Sequence, residues 1–167
     1  MASIYKAQTG ETFTVTDEKP IGGFSQFGIV YAATDAQGKP YVVKVSRNPD
    51  YNPRFIAEYD TLKAVAEATS AKHNGEVYTP HPVYLVRAEG DDKQAIAMPR
   101  YTATLAKELG DTYRGGKGLD AEFLFLHGAT TYLKVLDAIH DKKQTCADRK
   151  QDDFFLSEDK GRSEECR

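Results

Sequence analysis

The stretch FGIVYAATDAQGKPYVVKV, residues 27–45, decides the fold of this 167-residue chain. It contains two runs of β-branched and aromatic residues, separated by a polar segment in which Gly38 can adopt the positive φ of a tight loop. This pattern predicts a β-hairpin. Lys44 lies in the middle of its apolar second strand, where an unpaired ammonium would be costly to bury. The stretch therefore also predicts an acidic partner on a neighbouring element.

The segments on either side of this hairpin complete a sheet and a helix. Alternating or apolar runs bounded by turn residues predict three more strands, at 12–15, 82–86 and 94–98. A helix is predicted from Pro53 to about residue 71, with Asn52 as its N-cap. Its apolar stripe is formed by Phe55, Tyr59, Leu62 and Ala66. The expected fold class is α+β, a five-stranded antiparallel sheet with one packed helix.

The character of the chain changes after residue 98. A short helix is predicted at 104–109, a flexible link at 114–118 and a long helix at 119–140. The apolar face of the long helix consists of Leu126, Ala129, Leu133, Leu136 and His140. We therefore expect two domains, a strand-rich lobe at 1–98 and a partial, mostly helical lobe at 99–167.

Composition narrows the classes of partner. The chain has 22 basic and 25 acidic residues, a net charge of −3, without the long single-sign blocks typical of nucleic-acid or membrane surfaces. No segment approaches the roughly 18 apolar residues of a membrane span, and the N-terminus does not resemble a signal peptide. We expect a cytoplasmic protein in which Cys146 and Cys166 are reduced thiols.

Glycines surround a turn in the segment IGGFSQFGIVYA, residues 21–32. Such a segment is either a plain hairpin turn or a loop whose backbone N–H groups approach phosphate oxygens. It opens onto a strand, which fits a Rossmann dinucleotide site poorly. The order of strand, glycine loop, strand and lysine strand resembles protein kinases, whose loop reads G-x-G-x-F-G-x-V. The residues that match are Gly23, Phe27, Gly28 and Val30. Ser25 replaces the central glycine.

A second match concerns Lys44 and Glu58. Glu58 lies beside the apolar stripe of the predicted helix. Taken singly, the lysine could snorkel from its strand and the glutamate could lie at the edge of the stripe. In protein kinases, a lysine of the third strand binds the α and β phosphates of ATP and is positioned by a glutamate of the next helix. The resemblance implies these roles here, and it adds Val42 to the nucleotide site.

The segment AIAMPRY, residues 95–101, resembles the edge strand and hinge of protein kinases. The resemblance implies that Met98 is the gatekeeper and that Pro99 offers only its carbonyl to adenine. The N–H group for adenine would come from Tyr101. The alternative is an edge strand that a proline terminates.

The segment CADRKQDDFFL, residues 146–156, is by composition a charged loop followed by a short apolar strand. Its spacing resembles the kinase catalytic loop, which supplies an aspartate for the substrate hydroxyl, a lysine for the phosphoryl group and a metal-binding asparagine. The corresponding residues are Asp148, Lys150 and Asp153. An aspartate can still bind Mg²⁺. Cys146-Ala147 stands in place of the usual His-Arg, which makes switching by activation-loop phosphorylation doubtful.

The sequence contains no Asp-Phe-Gly motif, so the resemblance covers only the first part of the kinase domain. The apolar face of the long helix predicted at 119–140 would then need a protein partner, a second copy of the chain or a further segment to cover it. The leading hypothesis is an ATP- and Mg²⁺-binding protein-kinase-like fragment, whose Ser/Thr phosphotransfer requires the missing segment. The first alternative is a pseudokinase-like interaction module. A small-molecule kinase of related fold is a lower alternative, because such enzymes usually lack the lysine at position 150.

Overall fold

Six antiparallel strands close into a barrel in the first of the two units of the chain, Met1–Arg100 and Tyr101–Arg167. This computed structural model describes residues 3–21, 25–72, 74–75, 77, 79–101, 103–104, 130–141 and 155–156. The strands of the barrel are β1 (Ile4–Ala7), β2 (Thr12–Val15), β3 (Gly28–Asp35), β4 (Pro40–Ser46), β5 (Tyr84–Ala88) and β6 (Ala95–Pro99). Around the barrel they follow the order β1, β2, β3, β4, β6, β5.

Strand β1 closes the barrel, so the prediction of a five-stranded sheet was wrong. Tyr5 lies opposite Phe13 of β2 on one side and opposite Ala88 of β5 on the other. Without β1, both β2 and β5 would be edge strands with unpaired N–H and C=O groups. One four-residue strand pairs with both edges. Its pairing depends on segments far apart in the chain, which no local sequence pattern reports.

The inside of the barrel is filled by alternating residues of all six strands. Phe13 is 1% exposed, and its ring lies 4.9 Å from that of Tyr41 and 5.2 Å from that of Tyr84. Small residues on the neighbouring strands make room for these rings. The buried cluster consists of Tyr5, Phe13, Val15, Ala33, Tyr41, Val43, Val45, Val86, Ala95 and Ala97.

A single helix, α1 (Asn52–Lys72), lies against β5 and β6 outside the barrel. Its buried residues are Phe55, Val65, Ala66 and Thr69. Beyond its end, Gly75 has a φ of +88° and its N–H donates to the carbonyl of Ser70 at 2.8 Å. This left-handed glycine satisfies one of the carbonyls that every helix end leaves free. The predicted end, near residue 71, is confirmed to within one residue.

The helix begins differently from the prediction, because Asn52 is not its N-cap. Asn48 accepts the N–H of Asp50 at 3.1 Å and caps a 3₁₀ turn, Pro49–Tyr51, that runs directly into α1. The amide of Asn52 instead donates to the carbonyl of Asp92 at 2.7 Å and accepts the N–H of Gln94 at 2.8 Å. Asn52 thus ties the start of the helix to the turn between β5 and β6.

Strand β2 matches the predicted residues 12–15, whereas β5 and β6 begin two residues and one residue later than predicted. The position of β6 in the sheet was assigned wrongly. The hairpin of residues 27–45 is confirmed, and Gly38 has the expected positive φ of +80°. Strand β6 pairs with β4 on one side and with β5 on the other, so it is not an edge strand.

The described part of the second unit consists of a helix and a two-stranded ladder. Helix α2 (Thr130–Asp141) overlaps the second half of the long helix predicted at 119–140 and ends one residue later. Residues 119–129 lie outside the described residues. Strand β7 (Ala103–Thr104) pairs with β8 (Phe155–Leu156), so Thr104 starts no helix. Neither described helix combines the length and the apolarity needed to cross a bilayer.

Replacing Phe13 with alanine should lower the free energy of unfolding by about 3–5 kcal/mol, because it removes a ring from the closed barrel and leaves a cavity. Ile4→Ala, on the exposed side of β1, is the matched control and should change it by less than about 1 kcal/mol. Urea unfolding followed by circular dichroism measures both. Equal shifts for the two variants would contradict a barrel filled by Phe13.

Stability should fall above about pH 10 because of buried phenols. Burial raises the pKa of Tyr5 above its ordinary 10.0, with further contributions from Asp91 and Tyr31. The unfolded chain therefore loses this proton at a lower pH than the folded chain, so the stabilisation is intact below pH 10 and is lost as the pH rises. Tyr5→Phe should flatten the alkaline part of a urea-midpoint profile. Tyr59→Phe, outside the barrel, serves as the control and should leave the profile as steep as in the wild type.

Candidate functional site

Strand register gathers four of the nominated residues on the outer face of the barrel. Val30 of β3 lies opposite Lys44 of β4, and Val42 of β4 lies opposite Met98 of β6. Because side chains alternate along a strand, these residues point away from the barrel interior, to which Val43 belongs. All four are half-buried. The outer face thus carries one cation among three apolar side chains.

Lys44 and Glu58 form the expected ion pair. The Nζ atom of Lys44 donates to Oε1 and Oε2 of Glu58 at 2.7 and 2.8 Å. The lysine side chain is 24% exposed and the glutamate side chain 38%, so solvent screens part of the attraction. The pair joins the middle of β4 to the second turn of α1. Because the Lys44 side chain stays partly exposed in this pair, an anion from solvent can approach it.

Phe55 packs beneath this ion pair and occupies the space next to Gly28. Phe55 is 1% exposed, and the Nζ atom of Lys44 lies 5.5 Å from its ring centroid. A Cβ atom on Gly28 would lie 2.8 Å from Cζ of Phe55 and 3.2 Å from the carbonyl oxygen of Val45. Glycine is therefore required at position 28 by packing of α1 on β3, whether or not a phosphate approaches.

The part of the glycine loop that leads into β3, residues 25–27, is hydrogen-bonded to Arg47, which directly follows β4. The side chain of Arg47 donates from Nε to the carbonyl of Ser25 at 2.9 Å, and its backbone N–H donates to the carbonyl of Phe27 at 3.0 Å. On the other side of the loop, Ile21 donates its N–H to Val30 at 2.8 Å. Gly23, the remaining nominated residue of the loop, lies outside the described residues.

The residues nominated for the adenine side lie at the end of β6 and just after it. Met98 and Pro99 are the last residues of this strand, and both are half-buried. Pro99 lies opposite Tyr41, and the next N–H, of Arg100, donates to the carbonyl of Pro40 at 3.2 Å. Tyr101 is half-buried and belongs to the second unit.

The nominated catalytic and metal-binding residues, Asp148, Lys150 and Asp153, lie outside the described residues. Within the part of the chain that is described, no group of three or more His, Cys, Asp or Glu side chains is placed to hold a metal ion. On the outer face, the described residues place one partly exposed lysine side chain beside half-buried apolar side chains.

A cavity of about 430 Å³ opens at one end of the barrel, away from this face. It contains none of the nominated residues. Apolar and phenolic side chains line its inner part, and Glu18, Arg47, Asp91 and Lys93 lie around its rim. Its inner wall includes Tyr5, Val15, Ile29, Tyr31 and Val45.

Two contacts of the site were missed by reasoning from the sequence. Phe55 was assigned to the apolar stripe of the helix, but its contact with Gly28 joins residues 27 positions apart and leaves no periodic trace. Arg47 follows the strand as an isolated exposed base, a pattern that normally indicates only a solvated surface. Only the hairpin geometry brings its side chain to Ser25.

Gly28→Ala should lower the free energy of unfolding by about 1–3 kcal/mol, because its methyl group overlaps Phe55. Phe55→Leu shortens the side chain that the new methyl group would contact. The free energy of unfolding of the double variant should therefore fall by less than the sum of the two single decreases. Urea unfolding of the four chains completes the cycle. Additive losses would show that the ring of Phe55 is not what excludes a side chain at position 28.

Comparison with solved structures identifies the fold. The chain superposes on a structure described as vaccinia related kinase 3 with a TM-score of 0.63 and 12% sequence identity. The match covers 94% of this chain and 47% of that one, so the chain spans about half the length of its structural neighbour. No family model matches the sequence, and a search of curated proteins found no significant match. The chain has an α+β, protein-kinase-like fold.

Proposed function

We propose that the outer face of β3, β4 and β6 binds ATP, as the nucleotide-binding part of a protein-kinase-like domain. The observation that carries this proposal is the bidentate ion pair of Lys44 with Glu58, formed next to the half-buried Val30, Val42 and Met98. A cation held beside an apolar surface suits a ligand that joins phosphates to a flat, apolar ring.

Lys44 supplies the phosphate contact. An ammonium has three N–H donors, and the two oxygens of Glu58 occupy at most two of them. The third remains for an oxygen of the α or β phosphate, while Glu58 holds the flexible lysine side chain in one place. This positioning lowers the conformational entropy that binding would otherwise cost.

The apolar residues supply the adenine contact. Val30 and Val42 lie on neighbouring strands, and Met98 lies opposite Val42. Pro99 and Tyr101 would add the carbonyl and the N–H that a protein kinase offers to adenine. Ser25, Phe27 and Gly28, together with Gly23, form the loop on the phosphate side.

Phosphotransfer to Ser or Thr is the further step of this proposal, and it depends on residues in the second unit. Asp148 would accept the proton of the substrate hydroxyl. The hydroxyl oxygen would then bond to the γ-phosphorus, while the bond between the γ-phosphorus and the bridging oxygen of the β phosphate breaks. Lys150 would neutralise the phosphoryl group. Asp153 is the candidate ligand for Mg²⁺, which neutralises phosphate charge in such reactions. Protein kinases take a second acidic Mg²⁺ ligand from an Asp-Phe-Gly motif, which the 167 residues do not contain, so this step requires such a segment to be supplied.

A pseudokinase-like interaction module is the second candidate. Cys146-Ala147 replaces the usual His-Arg, and Asp153 replaces the usual asparagine. Leu133 of α2 is 63% exposed, so a protein substrate, a protein partner or a second copy of the chain would bury apolar surface there. In this case the nucleotide site would serve folding or regulation without phosphotransfer.

Isothermal titration with ATP, in the presence and absence of Mg²⁺, tests the binding site. Lys44→Met should weaken the affinity about 10- to 100-fold, because one hydrogen-bonded charge contact is lost. Glu58→Gln should weaken it less, since the lysine remains but is held less firmly. Lys63→Met removes an exposed lysine of α1 and is the matched control, expected to bind like the wild type.

Negligible affinity of the wild type, or equal affinity of wild type and Lys44→Met, would contradict the proposed nucleotide site. AMP, which lacks the β phosphate, should bind more weakly than ADP if Lys44 contacts that group. Transfer of labelled phosphate to a generic protein substrate separates the two candidates. Robust incorporation that is lost in Lys44→Met would exclude the pseudokinase-like module.

A further inference from the structure

Arg54, in the first turn of α1, reaches the glycine loop. Its guanidinium carbon lies 3.8 Å from the ring centroid of Phe27, the residue directly before β3. Tyr51, from the 3₁₀ turn before α1, meets the same ring edge to face at 5.3 Å. The aromatic side chain of the loop is therefore held by the start of the helix.

The stacked contact is specific to arginine and to an aromatic ring. A guanidinium is planar and weakly hydrated, so it can lie flat on a ring, whereas the compact ammonium of lysine stays hydrated. A cation over a ring makes a weak attraction at exposed positions such as that of Arg54. A contact of this strength can bias the position of a loop without making the fold depend on it.

The same face of α1 also holds Lys44. Arg54 and Glu58 are four residues apart, so their side chains project from one face of the helix. Arg54 contacts Phe27, and Glu58 contacts Lys44. The first two turns of α1 thus contact both Phe27 of the loop and Lys44 of β4. Arg47 holds the same part of the loop through its hydrogen bonds to the carbonyls of Ser25 and Phe27.

We propose that Arg54 is a positioning residue, which sets nucleotide affinity by stacking on Phe27 and linking the glycine loop to the Lys44–Glu58 pair. It acts through Phe27 and not by contact with the nucleotide. This inference rests on the proposed ATP site. Helix α1 would then contact the phosphate side of the site twice, through Glu58 on Lys44 and through Arg54 on Phe27.

Isothermal titration with ADP tests the inference. Arg54→Lys keeps the charge and loses the stacking, so the affinity should fall about two- to fivefold. Phe27→Leu should cause a similar loss, because it removes the ring on which Arg54 stacks. The double variant Arg54→Lys/Phe27→Leu should lose no more than either single variant. Arg87→Lys, an exposed arginine of β5, is the matched control.

A spectroscopic signature distinguishes positioning from a general effect of charge. The Nε–H resonance of Arg54 should be shifted upfield by the ring of Phe27 and should return to its ordinary position in Phe27→Leu. Unchanged affinity of Arg54→Lys beside a binding wild type, or additive losses in the double variant, would overturn this inference alone. A wild type that binds no ADP would overturn the nucleotide site and this inference with it.

Discussion

Strand β4 is buried on two sides, and the rest of the site depends on this constraint. Its inward residues, including Val43, fill a closed barrel, while Lys44 faces helix α1. A slip of one residue would turn the ammonium into the barrel and place a valine opposite Glu58. Such a slip would leave two charges unpaired, at a cost of several kcal/mol. The packing of the barrel therefore determines which side chains form the outer face.

Features that depend on local periodicity could be predicted from the sequence, and long-range ones could not. The hairpin of residues 27–45, the extent of α1 and the pairing of Lys44 with Glu58 follow from alternation, helical spacing and the cost of burying a charge. The barrel-closing strand β1 depends on two edges more than 60 residues apart in the sequence, β2 and β5. Asn52 was misread for a similar reason, because its partners are residues 92 and 94.

Gly28 shows why a motif is weaker evidence than the contacts around it. A kinase-like pattern explains this glycine by the approach of a phosphate, yet the ring of Phe55 already occupies the space that a Cβ atom would need. Packing alone accounts for the residue. Lys44 differs, because an apolar side chain would fill the same place without requiring Glu58 as a partner. The ion pair is thus the stronger indication of an anionic ligand.

The position of α1 is set by contacts within the chain itself. The amide of Asn52 is bound to the β5–β6 turn, Phe55 is buried against β3, and Glu58 meets Lys44, all without a ligand. A helix fixed in this way keeps the lysine ready for an anion and leaves less to be ordered when one binds. All of these contacts lie in the unit Met1–Arg100, whereas Asp148, Lys150 and Asp153 belong to the other unit. Under the proposed function, loss of Asp148, Lys150 or Asp153 would therefore abolish phosphotransfer and leave the Lys44–Glu58 pair intact.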